Sequence, residues 1–87
     1  MRYCYDEYVD ALAIQLLPDE RVVRTLDIDD DRHVDLDGMG HVVAIDIRNA
    51  SHGVKIDDLI DGFDLHVVEN FLRSVASQTF QSWSIAY

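Results

Sequence analysis

Through most of the first fifty positions, apolar and polar residues alternate with the period of a β-strand. Tyr3 and Tyr5 share one face of a short first strand, and residues 6–10 form a polar connection. In residues 11–17, Leu12, Ile14 and Leu16 face one way and Ala11, Ala13 and Gln15 the other; Pro18-Asp19 ends the run because proline cannot donate to a ladder. Residues 21–28 predict a third strand. There Val22, Leu26 and Ile28 are in phase, but Arg24 shares their parity, which fits a bulge near Arg24-Thr25 or an edge position. Asp29-Asp30-Asp31 is the next turn. The clearest signal is residues 35–50. Val34 and Leu36 fall on one side of the first arm; Val43, Ile45 and Ile47 fall on one side of the second, with Ala44, Asp46 and Arg48 opposite, and Gly38 and Gly40 mark the hairpin turn. With residues 37–40 as that turn, Leu36 faces His41 and His33 faces Ala44.

After residue 55 the period changes. Ile56, Leu59, Ile60 and Phe63 recur at helical spacing, with Gly62 placed to close a short helix. Asp64 reads as the N-cap of a longer helix, residues 64–77, with Val68, Phe71, Leu72 and Val75 as its apolar stripe. The tail carries Phe80, Trp83, Ile85 and Tyr87, the last three alternating as an edge strand would. The expected fold is α+β, an antiparallel meander of about five strands with the C-terminal helix packed on one face. The expected core is Leu12, Ile14, Leu16, Val43, Ile45, Ile47, Val68 and Leu72. Residues 1–87 read as a single domain, with residues 3–51 the meander and residues 55–87 a helical extension with an aromatic tail.

Charge narrows the partners. The chain carries 17 acids against 7 Lys and Arg, a net charge of −10, and Lys55 is its one lysine. Such a surface repels nucleic acid and anionic membranes and attracts a basic protein or a cation. Adaptation to a salty cytoplasm yields the same composition. Cys4 is the single cysteine, so no internal disulfide forms and a four-cysteine zinc site is excluded. The first residues lack the apolar core of a signal peptide and no stretch of about 18 apolar residues occurs, so the expected location is cytoplasmic.

Two blocks carry a resemblance. One is Tyr5-Asp6-Glu7 followed by residues 10–16, Asp-Ala-Leu-Ala-Ile-Gln-Leu. The other is Val34-Asp35-Leu36-Asp37 followed by residues 40–51, Gly-His-Val-Val-Ala-Ile-Asp-Ile-Arg-Asn-Ala-Ser. Together, over residues 3–51, the chain resembles the YuzE-like family of small prokaryotic proteins, a domain-of-unknown-function family. The resemblance implies a small β-rich fold with a helix and no established activity. Genes for small ribonuclease-like toxins beside some members imply an antitoxin role. Ala13, where an aromatic is common, and Ala44, where glycine is common, depart from the pattern, and residues 55–87 exceed the usual short ending.

No catalytic constellation, cofactor motif or metal-ligand spacing is legible. Asp27, Asp29 and Asp31 match the first three positions of an EF-hand, but Arg32 stands where glycine makes the sharp turn and Gly38 where a bidentate Glu closes the site. Asp35, Asp37 and Gly38 suit a β-turn as well as a calcium loop. His33 and His41 are expected on opposite sides of the sheet, and His52 and His66 lack ligand spacing. Cys4, between tyrosines in a strand, is expected to be a half-buried structural thiol. The reading that follows is non-enzymatic: a small acidic protein-binding module, in its sharp form an antitoxin-like partner of a basic toxin. Its expected contacts are Phe80 and Trp83 flanked by Asp27, Asp29, Asp30 and Asp31. The alternatives are a homo-oligomeric structural domain, with the tail aromatics met by a second chain in a homodimer, and a metal-assisted hydrolase on the acidic face. Crowded aspartates also make folding sensitive to salt. Added monovalent salt should raise the melting temperature, most of the gain arriving below 1 M, where the Debye length is ~3 Å; a melting curve indifferent to salt would show the acids well separated or paired.

Overall fold

A computed structural model describes residues 1–83. Ile85 and Tyr87 of the alternating tail lie outside the described residues. Five antiparallel strands form one sheet: β1 (Arg2–Asp6), β2 (Ala11–Gln15), β3 (Arg24–Asp27), β4 (Arg32–Leu36) and β5 (Val42–Arg48). Their order is β1-β2-β5-β4-β3, so the hairpin β1–β2 and the run β3–β4–β5 meet along the β2–β5 ladder. The fold is the α+β arrangement expected from the alternation. β3 lies at the edge, which explains how Arg24 tolerates the core-side parity: its side chain is exposed.

The register places one apolar face on one side. Leu12 pairs with Ile47, Ile14 with Ile45, and Val34 with Ile45 from the other flank. These side chains are buried, and Leu59, Ile60, Leu72 and Val75 close over them from the helical half. Val68 is half-buried against the same cluster. The hairpin departs from the simple register. A shift between Asp35 and Leu36 sets Leu36 opposite Val42, Asp35 opposite Ala44 and His33 opposite Asp46. The N–H groups of Leu16 and Leu17 both donate to the Val43 carbonyl, at 2.8 and 3.0 Å. This irregularity lets Val42 join the core cluster; Val43 is buried but stands outside it. The turn itself is made by Asp37, whose carboxylate accepts from the N–H groups of Met39 and His41 while Gly40 takes φ 82°.

The helical half is more broken than its periodicity suggests. A short α1 (Asp57–Gly62) is followed by a 3-10 turn (His66–Val68) and then α2 (Glu69–Ala76). Asp64 is not an N-cap. It sits at φ 53°, and the Leu65 N–H returns to the Ile60 carbonyl at 2.8 Å, so Asp64 is the left-handed residue of a Schellman-type stop to α1. An Asp tolerates that conformation better than most residues, which is why one side chain suits either end of a helix. Among the described residues no helix is long and apolar enough to cross a membrane.

Leu72 is fully buried, whereas Val67 in the preceding turn is 99% exposed. Leu72→Ala should therefore cost about 2–5 kcal/mol in chemical denaturation. Val67→Ala should change stability by less than about 0.5 kcal/mol.

Candidate functional site

The turn joining β1 to β2, the turn joining β3 to β4, and the exit of β5 lie at the same end of the sheet. The Arg48 N–H donates to the Asp31 carbonyl at 2.7 Å, the Asn49 side-chain amide donates to the Asp31 carboxylate at 2.9 Å, and the Ala50 N–H donates to the Asp10 carbonyl at 3.3 Å. Asp10 and Asn49 hold this corner in left-handed conformations, at φ 55° and 54°.

The Asp10 carboxylate is the centre of the corner. It is buried and accepts three hydrogen bonds: from the Tyr5 hydroxyl at 2.7 Å, the Ser51 N–H at 2.9 Å and the Ser51 hydroxyl at 2.6 Å. Burial pushes its pKa up, but the bonds from Ser51 and Tyr5 favour the charged form and hold it below the ordinary aspartate value. Burial, followed by the hydrogen bond to Asp10, pushes the Tyr5 phenol up to about 12.

The tail folds back onto this corner. The Trp83 N–H and the Ser82 hydroxyl both donate to the Glu7 carbonyl, at 2.8 and 3.0 Å. Phe80 packs against Tyr5 and Tyr3, with ring centroids 4.8 and 6.3 Å apart. Trp83 lies 5.9 Å from Tyr8. Tyr8, Val9 and Trp83 are 70%, 66% and 50% exposed; Tyr8 and Trp83 face each other, while Val9 lines a depression on the open face of the sheet with Ala11, Ala13 and Arg48, and the same end carries Asp6, Glu7, Asp30 and Asp31.

The expected contact residues divide accordingly. Phe80 is half-buried against the tyrosines and Trp83 stands at the surface. Asp29 is engaged by Arg32, and Asp31 by Asn49, while Asp30 is exposed. Asp27 lies on the open face of the sheet, 2.7 Å from the His33 ring. Tail aromatics and acidic turn share one end of the sheet but sit on opposite flanks, with β2 and β5 between them. Tyr8 and Val9 escaped sequence reasoning; two large apolar residues inside an otherwise polar connection were the available signal.

Across the open face, β-sheet neighbours bring Asp46 beside His33 and Asp35. Burial first, then the negative charge of Asp35, pushes the Asp46 carboxyl above the ordinary aspartate value. His41 contacts Asp37 at 3.3 Å, and His66 bridges Glu69 at 3.0 Å and Asp61 at 3.5 Å. Among the described residues no group of three His, Cys, Asp or Glu is placed to hold a metal ion. Cys4 is exposed rather than half-buried, because β1 is an edge strand and this residue faces away from the core.

Fold and site thus define a small one-sided sheet protein with an aromatic, acidic corner. The family model "Protein of unknown function (DUF2283)" matches residues 2–51, more than half of the chain, and the chain belongs to that family. No curated protein and no solved structure matches it.

The two carboxylates, Asp10 and Asp46, should show opposite pH signatures. Asp10 stabilises the fold above its unfolded pKa of about 3.9, and that contribution is lost as pH falls through its depressed folded value. Asp10→Ala should cost roughly 2–4 kcal/mol at neutral pH, because it strands the Tyr5 and Ser51 donors. Asp46 has a raised folded pKa, so its charged form opposes folding at neutral pH. Asp46→Asn should raise stability at pH 7, with the gain vanishing below about pH 4. Denaturant titrations across pH 3–8 read both signs.

Proposed function

We propose that this chain is a protein-binding module that captures a basic partner at the acidic corner of its sheet. One observation carries the reading: Tyr8 and Trp83 stand exposed together, ring centroids 5.9 Å apart, beside the acids Asp6 and Glu7 of the first turn. Large aromatic side chains supply affinity when a partner covers them, while surrounding charge accelerates encounter and selects the sign of the partner. The net charge of −10 supports a basic partner and disfavours nucleic acid and anionic membranes.

In its sharp form the partner is a small basic toxin encoded next to this chain, which then acts as antitoxin. The support for that form is the charge together with the family resemblance over residues 3–51. In this reading Trp83 with Tyr8 is the anchor, Asp6 and Glu7 of the same turn supply the flanking charge, Phe80 is the packing beneath the tail, and Asp30 and Asp31 stand farther off on the opposite flank.

Co-expression with the small basic protein of a neighbouring gene should relieve its toxicity, and the purified pair should bind with an on-rate that falls as salt rises. Trp83→Ala or Tyr8→Ala should weaken binding by about 2 kcal/mol, roughly thirtyfold. If neighbouring genes encode no small basic protein and pull-downs recover only this chain, the reading fails.

A further inference from the structure

The outer side of the edge strand β1 is open. All its residues but the half-buried Tyr5 are exposed, and among the described residues no backbone bond other than those to β2 reaches residues 2–6. We propose that this edge pairs antiparallel with the same strand of a second copy, Arg2 opposite Asp6, Tyr3 opposite Tyr5 and Cys4 opposite Cys4, joining two five-stranded sheets into one. The contact adjoins the aromatic corner at Asp6 but does not rest on the reading given there.

Edge strands are commonly guarded by proline, lysine or a bulge. Residues 2–6 hold neither proline nor lysine, and their register with β2 is unbroken. The order of the side chains selects the occupant. Two copies of one strand pair about a two-fold axis normal to the sheet, an operation that keeps each side chain on its own face. Residues that meet must therefore share a face, so the axis passes through a residue and not between two. β1 satisfies this about Cys4. Arg2, Cys4 and Asp6 lie on the open face, while Tyr3 and Tyr5 stand beside Ile14 and Leu12 of the core. The other edge fails the same condition. In β3 the cation and the acid are Arg24 and Asp27, three residues apart and hence on opposite faces.

Charge and aromatic contacts then both match. Among the described residues neither Arg2 nor Asp6 belongs to an ion pair. Arg2 donates to the neutral Gln15 side chain, and Asp6 accepts from the Tyr8 N–H. Four residues apart along a strand, about 13 Å, they do not reach each other within one copy. An antiparallel copy sets Arg2 against Asp6 twice. A uniformly basic strand at this edge would satisfy Asp6 but place a cation against Arg2. A strand that suits both carries an acid and a cation in the reverse order, which is what a second copy presents. Glu7 lies just past the paired residues, and its carbonyl already accepts from the Trp83 N–H and the Ser82 hydroxyl, so pairing ends at Asp6. On the dry face Tyr3 is 42% exposed at the rim of the core, with Phe80 packed on it and on Tyr5. Setting Tyr3 beside the other copy's Tyr5 covers that rim and continues the aromatic layer across the junction. A contact of this size belongs to the weak, reversible class. Two chains of net charge −10 repel at long range. At about 0.15 M salt the Debye length of about 8 Å screens that repulsion, while strand partners about 4.8 Å apart still feel each other.

Sedimentation equilibrium up to millimolar concentration in about 0.15 M salt tests the proposal. It uses this chain alone, so its outcome is independent of partner capture at the corner. The unaltered chain should dimerise reversibly, and a short bismaleimide, which links two thiols, should join the copies through the exposed Cys4. Arg2→Asp and Asp6→Arg should each weaken self-association by about tenfold or more. Mixing the two variants should restore the dimer, since each then meets its opposite charge. Bulk attraction cannot produce that recovery, because both chains remain strongly acidic. A chain that stays monomeric, a dimer left unlinked by the bismaleimide, variants that dimerise as well as the unaltered chain, or a mixture without recovery would each overturn the proposal.

Discussion

The carboxylate of Asp10 ties the two ends of the β half together. A buried aspartate is tolerable only when donors surround it, and here three donors from Tyr5 and Ser51 do so. Tyr5 lies in β1, Asp10 in the first turn, and Ser51 just beyond β5. One side chain therefore fixes the path of the first turn, the exit of the last strand and the point where the chain leaves the sheet for its helical half. The left-handed backbone at Asp10 and Asn49 shows how tightly that corner is drawn. The matched family segment ends at Ser51, so this contact joins residues near its two ends.

A second polar clamp completes the attachment of the helices. Arg32 opens β4, opposite Ile47, and its side chain is largely buried under the helical half. It reaches Asp58 at 2.6 Å, Asp29 at 2.9 Å and the Lys55 carbonyl at 3.1 Å. A buried guanidinium needs several acceptors to offset its desolvation, and these come from a turn of the sheet and the start of α1. Asp58 holds the Arg32 guanidinium above its ordinary value, and burial only partly opposes this. The apolar core supplies the adhesion between sheet and helices; Arg32 adds a polar tie at one edge.

Much of the sheet was legible because alternation marks a sheet with one dry face, and Leu12, Ile14, Ile45 and Ile47 obey it without exception. What was lost follows from physics that alternation does not encode. The irregularity near Val43 moves the core side by one residue, and a slip of one residue changes the face of every side chain beyond it. Asp64 is ambiguous because the same short acid suits an N-cap and a left-handed stop. Asp10 and Arg32 act through partners 41 and 26 residues away, and no local pattern reports such pairs. The tail aromatics were visible as sticky residues, yet only the fold puts Phe80 on Tyr5 and Trp83 beside Tyr8.

The corner built by Asp10 is also the corner that presents Tyr8 and Trp83, so structural order and the proposed contact surface share one origin. Native-state amide hydrogen exchange tests this most directly. The N–H groups of Ser51 and Met39 are both held by a carboxylate, at 2.9 Å each, but Met39 bonds Asp37 within its own turn while Ser51 bonds Asp10 across the sheet. If Asp10 fastens the fold, the Ser51 amide exchanges only through global unfolding, as slowly as those of Ile14 and Ile45, while Met39 exchanges through local opening. A Ser51 amide exchanging as fast as that of Met39 would contradict the account.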